Sequence, residues 1–551
     1  MRKGSTWMRG AALGALAHGV AAAATFTGVP VANPKIPGFT LPSLLTPELE
    51  QVIVAQGSNM LENGTPVIPF YGYDGDGPML PAPGDVQAPG HNVEATKTEP
   101  DKNTYLVLRG LTGADPAYDY GTHFLFQGHE LGFKDANGNP QGYLTRINLD
   151  ADGLHRVTLL ATSDPNGKPL PLLDGSTWNP FAQHLLFTSE NGANGGVWQA
   201  TLDVPSRVED ISASLGRGGY EGIQNDSAGN LYIVEDVGGK AGAVNTHAKQ
   251  PNSFVYRFVP KDPADLTAGK LQVLQVMSLA NPGQPIVFHA GQADADILSQ
   301  DVADLHTYGN VFQTNWVTIH DTDVDPPGAF DANALAKAKG GTPFKRPENG
   351  QWRPESGFGE FYFDETGDTN ALTEAGAAHG GFGAILKYTQ PGPNASSGQL
   401  TLFYLCDVAH SAFDNVGFWS RNEIVFVEDA GDLLHGQRNA LDSAYLFDVR
   451  VNFGGPGNPQ PVRILAEGRD PSATIDSGIG SIPGNGFNNE GDNEITGFHV
   501  SNGDPGTSGI LGTRVPLPFR AGWRAFYTQQ HGDNNTWEFL PSRVPLGRGN
   551  N

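Results

Sequence analysis

The chain reads as an all-β protein, a six-bladed β-propeller with long insertions and an N-terminal wrapping arm, on three observations. Short apolar runs rich in β-branched and aromatic residues recur along most of its length, joined by glycine- and proline-rich turns. Six of these runs end in an acid or a histidine, near Glu130, Glu190, Asp236, Glu365, Asp429 and His531. Two of them belong to near-copies, Glu221–Gly238 (EGIQNDSAGNLYIVEDVG) and Asp414–Gly431 (DNVGFWSRNEIVFVEDAG), in which an acid precedes a Glu-Asp pair by the same interval. The six tips fall about eighty residues apart, against roughly forty to fifty for a bare propeller blade. The blades therefore carry insertions, and their strand ends converge on one central channel.

Composition supports this class. The 551 residues include Gly 72 and Pro 41, too many for a helical protein, while 38% hydrophobic and 9% aromatic residues suffice for real cores. A formal charge of −25 disfavours nucleic acid and anionic membrane surfaces and attracts cations. The single cysteine, Cys406, has no internal disulfide partner and reads as a buried small hydrophobe.

In chain order, residues 1–24 read as a Sec-type signal peptide. Arg2, Lys3 and Arg9 precede a small apolar run that ends at Ala22-Ala23-Ala24. The expected location is periplasmic or secreted, with no stable membrane insertion. Residues 25–96 form a proline-dotted arm with one short helix expected over Pro47–Leu61. Its Asp74-Gly75-Asp76-Gly77 reads as a solvated turn more readily than as a calcium loop. The propeller is expected over residues 97–540, with a tail at 541–551.

Its strands begin at Tyr105–Leu108 and His123–Phe126, the latter running into Gly128-His129-Glu130. A hairpin around Asp152-Gly153 follows, then His184–Asn191 and Gly195–Ala200. Beyond the Glu221 copy come Phe254–Pro260, Trp316–Ile319, a helix-compatible Asp331–Lys339, and Glu360–Glu365. The Asp414 copy, Ser443–Val449, Asp492–Gly497 and Arg524–His531 complete the series.

Convergence gives the acids their chemistry. Glu130, Glu190, Glu221, Glu235, Asp236, Glu348, Asp414, Glu428, Asp429 and Glu494 cannot share one dry funnel as free anions, because like charges raise one another's pKa. Multivalent cations resolve this, and an all-oxygen donor set suits calcium, magnesium, manganese or ferric iron over zinc. The competing reading has each pair capping a strand end at a solvated turn.

Several motifs in order, Gly128-His129-Glu130, Thr188-Ser189-Glu190-Asn191-Gly192, Tyr220-Glu221-Gly222 with Glu235-Asp236, Tyr256–Pro260, Arg346-Pro347-Glu348, Asp414-Asn415 with Glu428-Asp429, and Asn493–Gly497, resemble the PhoX-type alkaline phosphatase family. The likeness runs from about Thr98 to Glu538. It implies an exported six-bladed β-propeller that hydrolyses phosphomonoesters at a calcium and ferric-iron cluster held by glutamates and one cysteine. It also implies Glu190, Glu221, Glu348 and Glu494 as metal ligands, with Glu130, Glu235, Asp236, Glu428 and Asp429 close by. Where the family pattern has Thr-Cys-Glu-Glu, this chain has Thr188-Ser189-Glu190-Asn191. A hydroxyl is a weaker iron ligand than a thiolate, so calcium is the firmer expectation and ferric iron the weaker.

The expected function is an exported metal-dependent phosphatase acting on small phosphate esters. Arg346, with Lys345 or Lys240, is the expected charge stabiliser, and His129, His320 or His531 the expected general acid. A calcium-dependent lactonase or esterase, and a non-catalytic calcium-stabilised binding propeller, are the alternatives.

Overall fold

The computed structural model describes residues 26–36, 41–72, 98–130, 141–468, 494–530 and 534–543. The expected signal peptide, Asp74–Gly77 and His531 lie outside these residues.

The fold is all-β and propeller-like, built from antiparallel meanders. Pro100–Val107, His123–His129, Leu144–Asn148 and Val157–Ala161 pair in sequence order as one sheet, and Ser176–Asn179, His184–Ser189, Gly196–Ala200 and Val208–Asp210 as the next. A nine-stranded sheet starts with Tyr220–Asn225, Leu231–Glu235, Val255–Asp262 and Asp265–Val276. Phe312–Asp321 pairs along this last strand and, through Phe312–Asn315, with Ser397–Leu405. That contact joins it to a second meander of Gly350–Trp352, Glu360–Glu365, Ala384–Thr389 and Ser397–Leu405.

Phe413–Phe418, Glu423–Glu428, Ser443–Asp448 and Val462–Ala466 follow, with Leu44–Leu45 on their outer edge. Glu494–Ser501, Arg524–Gln530 and Asn535–Pro541 are completed by Leu49–Ala55. The first strands of successive meanders neighbour one another in a closed circuit, from Pro100–Val107 round to Glu494–Ser501 and back. Among the described residues no helix is long and apolar enough to cross a membrane.

The expected helix over Pro47–Leu61 is instead the strand Leu49–Ala55, registered against Pro541 to Thr536. Its sequence, LEQVIVA, carries β-branched residues at its centre, and the unpaired edge of Asn535–Pro541 supplies backbone partners that override the local helix propensity of Leu, Glu and Gln. Asp331–Lys339 does fold as expected, with a helix at Ala332–Ala338 whose N-cap Asp331 accepts from Ala334 N at 2.8 Å.

The apolar cores lie between neighbouring sheets. Ile233 belongs to one such core and Val234 to the adjacent one. Both faces of the strand are therefore buried, which explains runs that are apolar without alternation. Cys406 is fully buried in an aromatic core with Tyr404, Phe413 and Phe447.

Candidate metal centre

Strand register decides which acids meet. Tyr220 faces Glu235 and Ile223 faces Ile233, with a bulge between the two pairs. The same bulge separates Phe413↔Glu428 from Val416↔Phe426, and Pro100↔His129 from Asn103↔Gln127. Glu221, Asp414 and Asp101 therefore occupy one equivalent position, on a bulge that re-aims the side chain out of the ladder. Asp174 and Glu348 stand at the same place, two residues ahead of the pairs Ser176↔Phe187 and Gly350↔Phe363. In the last sheet the same count puts Glu494 there, two residues ahead of Thr496↔Thr528, and the bulge falls deeper, at Gly497, with φ 60 and Thr528 Oγ1 only 2.6 Å from where a side chain would start.

A second set comes one residue after the second strands end. Glu130, Glu190, Asp236 and Asp429 follow His129, Ser189, Glu235 and Glu428.

Members of both sets form three overlapping groups whose carboxylate oxygens lie within 4.8 Å of one another: Asp101, Glu130 and Asp174; Asp174, Glu190 and Glu221; and Glu221, Glu348 and Asp414. Asp174 and Glu221 are shared, so the groups form one continuous chain of oxygen donors.

Buried polar side chains fix this chain in place. Lys102 Nζ donates to Asn349 Oδ1 at 2.7 Å and Asn415 Oδ1 at 3.1 Å. Asn349 Nδ2 donates to Glu221 Oε1 at 2.9 Å, and Asn415 Nδ2 to both Asp414 oxygens at 2.8 and 2.9 Å. Asp101 accepts from Thr496 Oγ1 at 2.6 Å and Gln530 Nε2 at 3.0 Å. Arg346, in the left-handed region at φ 59, binds both Asp236 oxygens through Nε at 2.9 Å and reaches Glu348 Oε1 through Nη2 at 2.9 Å. A non-glycine residue held in that conformation marks backbone shaped around its side chain.

Charge is poorly balanced within the protein. Seven carboxylates line the groups; among the described residues the part-buried Arg346 reaches one of them, Glu348, and the buried Lys102 stands behind the amides of Asn349 and Asn415. Burial first, then the surrounding acids, raises Asp174, Glu190 and Glu221 well above the usual carboxylate range. Burial also raises Glu348 well above that range, with Arg346 opposing it, and lifts Asp414 to about 7. Asp174 Oδ1 and Glu190 Oε1 are buried with no hydrogen-bond donor. Unsatisfied buried oxygens, an oxygen-only donor set and surplus negative charge together fit a hard multivalent cation.

The structure sorts the expected site residues. Glu190, Glu221, Glu348 and Glu130 meet in the groups, and Asp236 adjoins them through Arg346. Asp429 is a neighbouring charge of both Glu348 and Arg346. Glu494 opens its strand opposite Gln530, outside the three groups.

Glu235 and Glu428 are corrections. Being the last strand residues, they point away from the channel, because alternate residues leave opposite faces. Glu235 Oε2 accepts from Phe254 N at 3.1 Å, Tyr256 Oη at 3.0 Å and Asn333 Nδ2 at 3.0 Å, and burial raises its pKa to about 7. Glu428 is held by Arg438 at 3.0 and 3.2 Å, with Asp442 on the same guanidinium at 2.9 Å.

His129 has the same parity and is likewise no general acid. Its ring nitrogens engage Thr98 O and Thr145 Oγ1, both at 2.8 Å, it stacks on Tyr143, and burial lowers its pKa to about 3. His320 is buried against Phe330 at the end of the bridging strand, and burial lowers its pKa too. Ser189 is fully buried.

The sequence reading missed Asp101, Asp174, Lys102 and Asn349. The interval from Asp174 to Ser189 is one residue longer than that from Glu221 to Glu235, so a looser search for the repeat finds Asp174. Asp101 is hidden by the long loop between its strand and His123–His129.

The chain is similar to known proteins in part of its sequence and in its fold. Residues 213–436 match the family model described as Alkaline phosphatase PhoX, a span that holds Glu221, Asp236, Arg346, Glu348, Asp414 and Asp429. Among solved structures, Pseudomonas fluorescens PhoX in complex with vanadate, a transition state analogue, is similar at 11% identity and a TM-score of 0.52, covering 94% of this chain and 98% of that one. Sqt1 from Chaetomium thermophilum is a more distant likeness, at 12% identity and a TM-score of 0.33, covering 90% of this chain and 99% of that one. No curated protein matches the chain. The likeness read in the sequence is thus matched by the family model over residues 213–436 and, in fold, by the solved PhoX across most of the chain's length.

Proposed function

We propose that the chain is a metal-dependent phosphatase hydrolysing phosphate esters at the carboxylate chain from Asp101 to Asp414. The observation that carries this is the run of shared oxygen donors, with buried unsatisfied oxygens at Asp174 and Glu190. The PhoX match and the likeness to a PhoX bound to a transition state analogue support it. Cations held by these groups supply Lewis acidity toward phosphoryl oxygens and lower the pKa of bound water.

The chain's own residues do the rest. Asp101, Glu130, Asp174, Glu190, Glu221, Glu348 and Asp414 hold the charge, while Lys102, Asn349 and Asn415 fix the carboxylates in the manner of outer-shell partners. Asp236 and Glu348 orient Arg346, whose Nη1 makes no hydrogen bond among the described residues and is left to donate to a phosphoryl oxygen.

The oxygen-only donor set favours calcium, and Ser189 disfavours iron held through sulfur. We read the nine-stranded sheet as two blades joined at their outer strands, which gives six blades in the closed circuit of first strands. Residues 1–24 are proposed as a signal for export to the periplasm or medium, which N-terminal sequencing of the mature protein tests. The function is tested by assaying purified protein on a phosphate monoester and a diester with calcium, manganese, magnesium or iron. Release of phosphate is expected, and no hydrolysis of either ester with any cation overturns the reading.

A further inference from the structure

The geometry points to Lys249 as a second cationic contact for the phosphoryl group, one that favours monoesters, which carry two negative charges, over diesters, which carry one. This rests on the phosphatase reading above. The loop leaving Leu231–Glu235 passes Asp236 and Gly238 and returns at Lys249, which forms an antiparallel bridge with Ala241. Lys249 is anchored through its backbone N, which donates to Asp368 Oδ1 at 3.0 Å. Asp368 is already neutralised by Lys345 Nζ at 2.8 and 3.0 Å. The Lys249 ammonium lies 3.9 Å from where a side chain at Gly238 would begin, and it makes no hydrogen bond or ion pair among the described residues.

The charges around this ammonium are Arg346, Asp236, Asp368 and Glu348. Three of them are already committed: Asp236 and Glu348 to Arg346, and Asp368 to Lys345. What remains is a half-buried ammonium near a guanidinium that keeps one terminal nitrogen unused, in a chain of formal charge −25. Two like charges at the edge of the site repel each other, and an anion placed between them turns that repulsion into two attractions. A phosphate monoester offers three non-bridging oxygens and a double charge, enough for the cation chain and both side chains. A diester has one oxygen and one charge fewer, so it gains less from Lys249.

The test compares kcat/KM for a monoester and its matching diester in metal-loaded protein. Lys249→Met is expected to lower the monoester value by ~10–100-fold, mainly through KM, and the diester value by less than ~3-fold. Competitive inhibition by inorganic phosphate weakens in parallel. Lys249→Arg, which keeps the charge, retains most of the monoester preference, and Lys261→Met on a remote exposed hairpin leaves both values unchanged. Equal loss on both esters, or no loss on either, overturns the inference while leaving the phosphatase reading in place. A wild-type protein inactive on both esters strikes that reading itself.

Discussion

The two near-copies, Glu221–Gly238 and Asp414–Gly431, share one backbone and differ in what surrounds it. In both, the first acid stands on a bulge and joins the carboxylate chain, as Glu221 and Asp414. In both, the strand's last acid turns the other way, and there the copies part. Glu235 is met by neutral donors, one of them Asn333 from the inserted helix Ala332–Ala338. Glu428 is met by a cation, Arg438, from the helix Gly431–Arg438 that directly follows its strand. The repeat preserves the channel position, while the outward position takes whatever partner the local insertion supplies.

That contrast predicts unequal responses to substitution. The largest effect on stability is expected for Glu428→Ala, which leaves Arg438 buried with Asp442 alone. Opening a buried pair costs ~3–5 kcal/mol, and the retained Asp442 puts this case near ~3 kcal/mol, to be read from denaturant unfolding. An unchanged unfolding midpoint would show that Glu428 contributes nothing to that core.

Glu235→Gln is expected to act through pH. The folded Glu235 titrates near 7, above the usual carboxylate value, because burial disfavours its charge. The folded state therefore binds more protons than the unfolded state across the window from about 4.5 to 7, and stability falls as pH rises through it. The loss reaches up to ~3 kcal/mol and then levels off. Glu235→Gln removes that contribution, so the difference between the stability–pH curves of wild type and variant isolates it; parallel curves would contradict the assignment.

A smaller cost is expected at the deeper bulge of the last sheet. Gly497→Ala must adopt φ 60 and meet Thr528 Oγ1 at 2.6 Å, a cost of ~1–3 kcal/mol measurable by thermal unfolding. A neutral outcome would show that this bulge relaxes freely.

Much of the fold was legible in the sequence because propeller strands are buried on both faces and stand out as apolar runs between turns. The acid interval in the two copies was legible for the same reason, since short hairpins preserve spacing. What could not be read was side-chain parity at the strand ends. Glu235 and Asp236 are adjacent letters, yet one faces a core and the other Arg346, and only the register of Tyr220 against Glu235 decides which is which. Asp101 and Asp174 escaped because their copies vary in loop length or end in His129 and Ser189 instead of glutamate. The strand Leu49–Ala55 escaped because its partner lies at the far end of the chain.

The central claim is that bound metal belongs to the three carboxylate groups and not to the last acids of the strands, Glu235 and Glu428. Elemental analysis of purified protein tests this most directly, comparing wild type with Glu221→Gln, which alters a ligand shared by two groups, and with Glu235→Gln. The account predicts metal in wild type and in Glu235→Gln, and marked loss of it in Glu221→Gln. Retention in Glu221→Gln, or equal loss in both variants, would contradict it.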